Sequence, residues 1–382
     1  MSEPSERGAQ RTSPLRRATL LVPGLPHLLS GRRLAGFSLL GLATTLLGVL
    51  FLAFDRIQAT FTVGRIDYWL ALLTLVAGLA TAWAGNILPS LPAVRRAGSN
   101  SQWARAWRDF RRNRLAVVGL YLMLALYLAA LLGAYLTPYE PNLIQDIAAT
   151  RHLPPSLDHW MGTDKFGRDV LTRALYGARI SLSIGFIAVA IAVTLGTAVG
   201  AVSGYFGGWV DTLLMRFVDV LISFPRLVLL IAVIALFQPS IFLVVAVLGL
   251  TLWPSTARIV RGEVLSLRER EFVQAAYVLG LGAPRIILRH IVPNVMGPVI
   301  VAATLGLGNI ILIEAGLSFL GMSVQPPTPS WGNMIEEGRE FLVQAWWAAT
   351  FPGLAIVMTV VAFNLIGDGL RDALDPRLRV RQ

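Results

Sequence analysis

The feature that most constrains this chain is a series of long apolar runs. Eight of them approach the roughly 20 residues that a helix needs to cross the hydrocarbon core of a bilayer. They lie near residues 34–54, 68–88, 115–136, 180–203, 210–237, 240–257, 296–320 and 350–368. Lipid offers the backbone no hydrogen-bonding partners, so such runs fold as helices. The sequence therefore predicts an all-α polytopic membrane protein.

Composition agrees with this prediction and excludes several function classes. Charged residues make up 14% of the chain, against about 25% in soluble domains. Cysteine is absent, which excludes a disulfide framework and a cysteine-based metal site. The only lysine, Lys165, lies between Asp164 and Phe166, whereas a phosphate-binding P-loop needs Gly-Lys-Ser or Gly-Lys-Thr. This chain cannot be a standard P-loop ATPase by itself.

The positions of the arginines predict that both termini are cytoplasmic. With this orientation, 24 of the 33 basic residues fall in cytoplasmic segments and 8 in external ones. The reverse orientation would place the 24 outside, against the positive-inside rule. The predicted topology has an external loop at 137–179 and a cytoplasmic loop at 258–294. The arginines flank the spans without stacking aromatics between them, so nucleic-acid binding is not expected.

The chain divides near residue 100. A stretch rich in Pro, Ser and Gly at 88–102 is typical of a linker, and it separates a front piece with two spans, residues 1–98, from a six-span remainder, 115–382. Between them, residues 99–114 place aromatic residues on one side of a helix and arginines on the other. The aromatic side consists of Trp103, Trp107 and Phe110, and the basic side of Arg105, Arg108 and Arg112. The pattern favours a cytoplasmic interfacial helix in the headgroup layer over a solvated linker.

The cytoplasmic loop 258–294 combines a short apolar helix with several helix breakers. Its predicted apolar face repeats at i, i+3, i+4 and i+7 and consists of Phe272, Ala275, Ala276 and Leu279. Gly280, Gly282 and Pro284 then end the helix, and a second apolar piece leads to Pro293, where the chain can turn back toward the membrane. The two alanines would let another backbone come close. We therefore expect this loop to dock on a protein.

The same loop resembles the coupling loop of the membrane-spanning subunits of ABC-type importers. The family pattern, E-A-A-x-x-x-G followed after nine residues by I-x-L-P, is present as QAAYVLG at 274–280 and HIVP at 290–293. Here Gln274, His290 and Val292 replace Glu, Ile and Leu, so Gln274 cannot make an ion pair that the family's Glu makes. The candidate coupling residues are Glu271, Phe272, Gln274, Ala275, Ala276, Leu279, Gly280, Gly282, Pro284, His290 and Pro293.

Other stretches are similar to one group within that family, the dipeptide, oligopeptide and nickel permeases, specifically their second, C-type permease subunit. These stretches are HWMGTDKFGRDVLTRALYGARISL at 159–182, AGLSFLG at 315–321, VQPPTPSWG at 324–332 and FNLIGDGLRDALDPRL at 363–378. The resemblance covers about residues 105–380. It implies a six-helix type I importer core, here with two extra N-terminal transmembrane helices, in a multi-pass protein of the prokaryotic plasma membrane.

The resemblance also implies the partners. They are a homologous permease subunit in a heterodimer, two separate ATP-binding subunits that hold ATP and Mg, and an extracytoplasmic substrate-binding protein. This chain would then be non-catalytic and bind no cofactor itself. We expect a peptide cargo, with nickel or another small solute as the alternative, since the sequence reveals no His, Cys or Met cluster. An ion-driven secondary transporter would need repeated halves and buried ion ligands, and a non-transporting scaffold is a third hypothesis.

Several polar residues have both a structural and a functional interpretation. In the external loop, internal hydrogen bonding or binding-protein contacts are expected for Gly162, Thr163, Asp164, Gly167, Arg168 and Asp169. His152 and His159 are too far apart in sequence for a convincing metal site, and none is predicted. Glu314 lies in an apolar span, where helix packing or a gate is favoured over a proton relay. Pro225 is predicted to kink its span, and with Glu314 it is a candidate for the path or its gate.

Overall fold

The computed structural model describes residues 28, 33–52, 71–77, 102–144, 146–237 and 240–374. In this part of the chain the regular structure is helical, apart from one isolated β-bridge between Thr163 and Asp169. The helices are α1 (Arg33–Leu52), α2 (Gln102–Phe110), α3 (Arg114–Leu136), α4 (Ile147–Thr150), α5 (Val170–Phe206), α6 (Gly208–Ser223), α7 (Arg226–Leu236), α8 (Ile241–Arg268), α9 (Glu271–Val278), α10 (Ala283–Ile286), α11 (Val292–Phe319), α12 (Trp331–Arg339) and α13 (Trp347–Leu374). A π-helical turn, Ile287–Ile291, connects α10 to α11. The predicted all-α class is confirmed.

Five of the described helices are long and apolar enough to cross a membrane. They are α3, α5, α8, α13 and the helical run Ala283–Phe319 that ends with α11. Each covers a predicted span to within one residue, and most extend well beyond it: α5 has 37 residues and α8 has 28. Hydropathy marks only the apolar part of a helix, because its ends can continue into the aqueous layer with polar residues.

The predicted span 210–237 is two helices rather than one. α6 ends at Ser223, α7 begins at Arg226, and their axes differ by 83°. Phe224, which precedes Pro225, has an extended backbone (φ −80°, ψ 135°), because a proline ring disfavours the helical conformation in the residue before it. The predicted kink at Pro225 is confirmed and is a complete break. Counting this pair as one span gives six.

The chain forms two compact units, and the smaller consists of Met1–Ala104 with Leu131–Pro138. Within its described residues, α1 coincides with the first predicted span, and its apolar part is Leu39–Phe51. The second predicted span, 68–88, is described only at 71–77, which are helical. The rest of that span and nearly all of the predicted linker lie outside the described residues, so the two extra N-terminal spans stay a prediction.

The larger unit consists of Arg105–Ala130 with Tyr139–Gln382, and the close pair α5–α8 lies at its centre. At Gly200 of α5, an added Cβ would lie 2.4 Å from the carbonyl oxygen of Ala257 on α8, and at Gly196 it would lie 2.5 Å from Cβ of Thr256. Small residues spaced by four let two helix backbones approach within a bilayer. α8 is therefore held firmly against α5 along the stretch that leads to the segment after Arg268.

Candidate functional site

The connecting segment, residues 269–291, joins α8 to α11 and contains most of the candidate coupling residues. Only Glu269 and Arg270 separate α8 from the short helix α9. At the end of α9, the N–H of Leu281 donates to the carbonyl of Ala276 (3.2 Å) and that of Gly280 to Tyr277 (2.9 Å). This pair of bonds is a Schellman motif. Gly280 occupies its left-handed position with φ 76°, where the sequence predicts the end of the helix.

One side of the connecting segment is anchored in the larger unit. Val273 and Ala276 of α9 are 3% and 4% exposed. They belong to a buried apolar cluster that also contains Ala201, Val260, Val264, Ile286, Ile287, Ile291, Val295 and Val299. These residues come from α5, α8, the π-helical turn and α11 as well as from α9 and α10. The segment is therefore packed against the helix pair rather than extending freely from it.

The other side of α9 is uncovered. Phe272 is 43% exposed, Val278 82% and Leu279 79%, and Ala275 is exposed as well. The prediction that both alanines lie on a docking face is wrong for Ala276, which faces the buried cluster. The remaining three residues of the predicted face, Phe272, Ala275 and Leu279, are exposed. An i, i+3, i+4 pattern does not reveal which edge of the stripe a neighbouring helix will cover.

Gln274, the residue that departs from the family pattern, has a structural partner in this chain. Its side-chain amide donates to the backbone carbonyl of Arg268 at 3.0 Å, which satisfies one of the free carbonyls at the end of α8. An ionised glutamate has no proton to donate there. A cleft of ≈ 490 Å³ opens beside it, lined by Tyr205, Phe206, Arg268, Val273, Gln274, Tyr277, Leu281 and Ala283.

The remaining coupling candidates lie at helix ends or on the surface. Glu271 is exposed in the first turn of α9, Gly282 caps α10, and Pro284 is in its first turn. His290 lies half-buried in the π-helical turn. The predicted turn at Pro293 is wrong, because the chain passes from the π-helical turn directly into α11 with Pro293 in its first turn, where a missing N–H costs no helical bond.

The loop between α3 and α5 is held by four buried charged side chains, which we call the acid–arginine cluster: Asp164, Arg168, Arg173 and Glu337. Arg168 donates through Nε to Asp164 (2.6 Å) and through Nη2 to Glu337 (2.5 Å). Arg173 donates to Glu337 (3.2 Å) and lies 3.6 Å from Asp164. Two arginines and two carboxylates balance in charge, as buried ions require, and they join the loop to α12.

The other candidate residues of the loop between α3 and α5 stabilise the backbone of that loop. Asp169 caps α5 by accepting from the N–H of Thr172 (2.7 Å), and its second oxygen is 2.9 Å from Nδ1 of His159. The hydroxyl of Thr163 donates to the carbonyl of Thr150 (2.6 Å) and accepts from the N–H of Leu153 (2.8 Å). Gly162 and Gly167 have φ of 71° and 73°. Internal hydrogen bonding, one of the two predicted roles, therefore involves all six residues or their backbone.

Two groups in this loop have shifted pKa values. Burial raises the pKa of Tyr139, and the carboxylates of Asp169 and Asp158 raise it further. Burial lowers the pKa of His152, as does the positive charge of Arg151, while Asp164 opposes the shift. Within the described residues, no group of three or more His, Asp and Glu side chains is arranged to hold a metal ion.

Glu314 lies on α11 and is almost fully buried, with 1% of its surface exposed. One carboxylate oxygen accepts from the hydroxyls of Ser318 (2.8 Å) and Ser323 (3.1 Å), and the other from Ser181 of α5 (3.3 Å). The hydroxyl of Ser330, the N-cap of α12, lies 3.4 Å from that of Ser318. The carboxylate thus ties α5, α11 and the loop before α12 together, as the predicted packing role requires.

Several pairings could not be found in the sequence. Arg173 and Glu337 are 164 residues apart. Asp211 of α6 receives two hydrogen bonds from Arg261 of α8 (2.5 and 2.6 Å) across 50 residues. The sequence shows only that these charged residues border apolar runs, where leaving an ion unpaired is costly. It does not show which residues form the pairs.

Comparison with known families assigns most of the chain. Residues 192–380 match the family described as the binding-protein-dependent transport system inner membrane component. Residues 101–155 match the N-terminal TM domain of oligopeptide transport permease C. Both matches lie after residue 100, where the sequence predicts that the front piece ends.

Curated relatives agree with these matches. The dipeptide transport system permease protein DppC of Alkalihalophilus pseudofirmus is 43% identical over 73% of this chain and 91% of its own length. DppC of Bacillus subtilis is 42% identical over 72% of this chain and 85% of its own length. The glutathione transport system permease protein GsiD of Escherichia coli O157:H7 is 41% identical over 77% of this chain and 96% of its own length. The chain therefore belongs to the family of binding-protein-dependent transport permeases of ABC importers, in the group similar to DppC and the oligopeptide permease C subunits.

Proposed function

We propose that this chain is the C-type permease subunit of an ATP-driven importer and forms half of the translocation path for peptides. It pairs with a homologous permease subunit, is driven by two ATP-binding subunits, and receives cargo from an extracytoplasmic binding protein. The names of the relatives support a peptide cargo, since they are called dipeptide and glutathione transport permeases.

The orientation follows from charge. With both termini cytoplasmic, 24 of the 33 basic residues are inside, as the positive-inside rule favours. The connecting segment is then cytoplasmic, on the side where the ATP-binding subunits bind, and the loop with the acid–arginine cluster is external. Six spans form the permease core, and the front piece adds two more in the prokaryotic plasma membrane.

The observation that carries the proposal is the uncovered side of α9. Phe272, Val278 and Leu279 form exposed apolar surface on a short helix outside the spans, while Val273 and Ala276 anchor its other side. Exposed apolar surface on an anchored element is typical of a protein interface. The ATP-binding subunits are the partners that this family provides for such a surface.

The mechanism is alternating access. Closure of the two ATP-binding subunits on ATP moves α9, and α9 is only two residues from α8, so its displacement passes to the α5–α8 pair as a rigid-body movement. The break at Pro225 between α6 and α7 is suited to serve as a hinge or gate. In this mechanism α9 binds the ATP-binding subunits, and the helices packed against it transmit the movement. ATP hydrolysis occurs on the partner subunits.

The two neighbouring alanines provide a test of the docking surface. Ala275→Glu places a charge on the exposed side of α9, so the chain should still fold, insert and pair with its homologous permease. It should lose co-purifying ATP-binding subunits about tenfold or more, because a charge stranded at an interface costs about 1–3 kcal/mol. Ala275→Ser is the matched control and should retain them.

Ala276→Glu is expected to fail differently. It places the carboxylate within the buried cluster, which costs several kcal/mol, so the chain itself should become unstable in detergent. Normal co-purification of ATP-binding subunits with Ala275→Glu would contradict the proposed docking surface. Absence of both ATP-binding subunits and a second permease from the purified wild-type complex would contradict the importer proposal and favour a secondary transporter or a scaffold.

Cargo is tested separately in the reconstituted complex with its binding protein. We expect ATP-dependent uptake of labelled di- or oligopeptides and no uptake of nickel. Uptake of nickel alone would overturn the peptide assignment while leaving the importer assignment intact.

A further inference from the structure

Three arginines converge on one side of α2 and the turn after it. Arg105, Arg108 and Arg112 line a shallow cavity of ≈ 310 Å³ together with Asp109. Positions 105, 108 and 112 follow i, i+3 and i+7, so a helical chain places them in one row. All three are exposed, and none forms an ion pair with a carboxylate of the described chain. The cavity lining therefore carries a net charge of about +2.

The row of three arginines is fixed in place because the opposite side of α2 is packed against other helices. Phe110 is 3% exposed and packs in a cluster with Ala116 of α3 and Ala373 of α13. The ring of Trp107 stacks on that of Phe110 with centroids 5.6 Å apart. The arginines therefore start from an anchored segment, which lowers the entropy lost when they bind a ligand.

The turn after α2 is also fixed relative to the first membrane helix of the larger unit. Oδ1 of Asn113 accepts the N–H groups of Leu115 and Ala116 at 3.1 and 3.2 Å, which caps α3, and its Nδ2 donates to Asp372 of α13 at 3.4 Å. The cavity thus lies beside the point where α3 enters the apolar layer. This is the depth of lipid headgroups, and the exposed indole of Trp107, 51% exposed, is typical of that depth.

We propose that this cavity binds the phosphate of an anionic phospholipid headgroup. Guanidinium groups match phosphate oxygens in planar, paired hydrogen bonds, and basic pockets beside transmembrane helices on the cytoplasmic side suit anionic lipids. A headgroup carrying a net negative charge would offset part of the excess positive charge of the lining, which a zwitterionic lipid would not. The proposal concerns the anchoring of the permease in the bilayer and does not depend on its cargo.

The test measures lipid binding by the full-length chain. The chain is purified in neutral detergent and titrated with phosphatidylglycerol or with phosphatidylcholine of the same acyl chains, and bound lipid is counted by native mass spectrometry. The site variant is Arg105→Gln/Arg108→Gln. The matched control, Arg111→Gln/Arg114→Gln, removes the same charge from the same stretch at exposed positions outside the cavity lining.

We expect the wild-type chain to prefer phosphatidylglycerol, and the site variant to lose about fivefold in affinity per arginine removed, or roughly 25-fold for the pair. The control variant should keep most of the preference, and inorganic phosphate at the same concentration should not displace the lipid. Equal losses in both variants would mean diffuse charge attraction, and displacement by inorganic phosphate would mean a free-anion site. Either result overturns the proposal, and neither bears on importer function.

Unchanged melting of both variants in neutral detergent with phosphatidylcholine shows that the fold is intact. If the site variant melts earlier, the single substitution Arg108→Gln is compared with Arg111→Gln in the same titration. An undiminished preference for phosphatidylglycerol in a folded site variant also overturns the proposal.

Discussion

At the scale of single residues, the connecting segment depends on a backbone conformation that one glycine supplies. Gly280 has φ 76°, and apart from its two neighbours in sequence no heavy atom lies within 4 Å of the position that a Cβ would take. A side chain would thus meet no neighbour, and the cost of replacing this glycine is backbone strain alone. The left-handed region disfavours L-residues by about 1–2 kcal/mol, and β-branched ones more strongly.

Gly280→Val should therefore displace the end of α9 and uncouple transport from ATP hydrolysis. Gly282→Val is the matched control, because Gly282 has an ordinary φ of −64° and its nearest neighbour to an added Cβ, Cδ of Pro284, is 4.0 Å away. In proteoliposomes with binding protein and cargo, Gly282→Val should keep cargo-stimulated ATPase activity and Gly280→Val should lose most of it. Equal activity in the two variants would show that the left-handed turn is dispensable.

Residues that act on their own backbone could be predicted from sequence. Gly280 and Pro225 are examples, because a glycine favours the end of a helix and a proline ring restricts the residue before it wherever they occur. The difference between Ala275 and Ala276 could not be predicted. It depends on the buried cluster that α9 forms with residues of α5, α8 and α11, and the local pattern contains no information about these helices.

At the scale of helices, α6 is tied to α8 by two ion pairs of unequal burial. Asp211 accepts both hydrogen bonds from Arg261 and another from the hydroxyl of Ser203, and its side chain is 16% exposed. Asp219 pairs with Arg258 at 2.5 Å, with both side chains 49% exposed. Because α8 continues into the connecting segment, these pairs link the first half of the broken span to the movement proposed for α9.

We expect the two pairs to differ in their contribution to stability. Asp211→Asn leaves Arg261 without a charged partner and should cost about 1.5–3 kcal/mol, the range for hydrogen bonds to charged groups. Asp219→Asn should cost less than about 1 kcal/mol, since exposed pairs contribute little. Thermal unfolding of the purified complex in detergent should show a clear drop in Tm for the first variant and little change for the second.

A double variant separates the pair from its neighbours. If Asp211 acts mainly through Arg261, then Asp211→Asn/Arg261→Gln should unfold at about the same temperature as Asp211→Asn alone. A further large drop would mean that Arg261 stabilises the helices through other contacts, and a smaller effect of Asp211→Asn than of Asp219→Asn would contradict the assignment by burial.

The helices themselves were predicted more accurately than their ends and junctions. Apolar runs locate the spans because the backbone within lipid must satisfy its own hydrogen bonds, which a continuous apolar run of this length does as a helix, and α3 matches its predicted span within a residue. The ends of α5 and α8 were missed because polar residues extend both helices past their apolar parts. The acid–arginine cluster was missed for a different reason: it joins Asp164 to Glu337 through arginines, and one sequence gives no sign of such distant pairs.

At the scale of the whole molecule, the front piece predicted from the sequence lies outside both family matches. The family matches begin at residue 101, and the relatives named above align with 72–77% of this chain. The part of α2 from Arg105 onward lies in the larger unit, where Phe110 packs on Ala116 and Ala373. The natural boundary for dissecting function therefore lies before α2.

A chain that begins at residue 99 should still assemble and transport, because it keeps every residue matched by the family and the packing around Phe110. A chain that begins at residue 115 also loses α2, which leaves Ala116 and Ala373 without their aromatic neighbour; removing a buried Phe costs about 3–5 kcal/mol. We expect the first truncation to co-purify with its partners and import cargo at near the full rate, and the second to assemble poorly. Loss of transport with normal assembly in the chain starting at residue 99 would show that the front piece takes part in transport, because only residues outside the family core would have been removed.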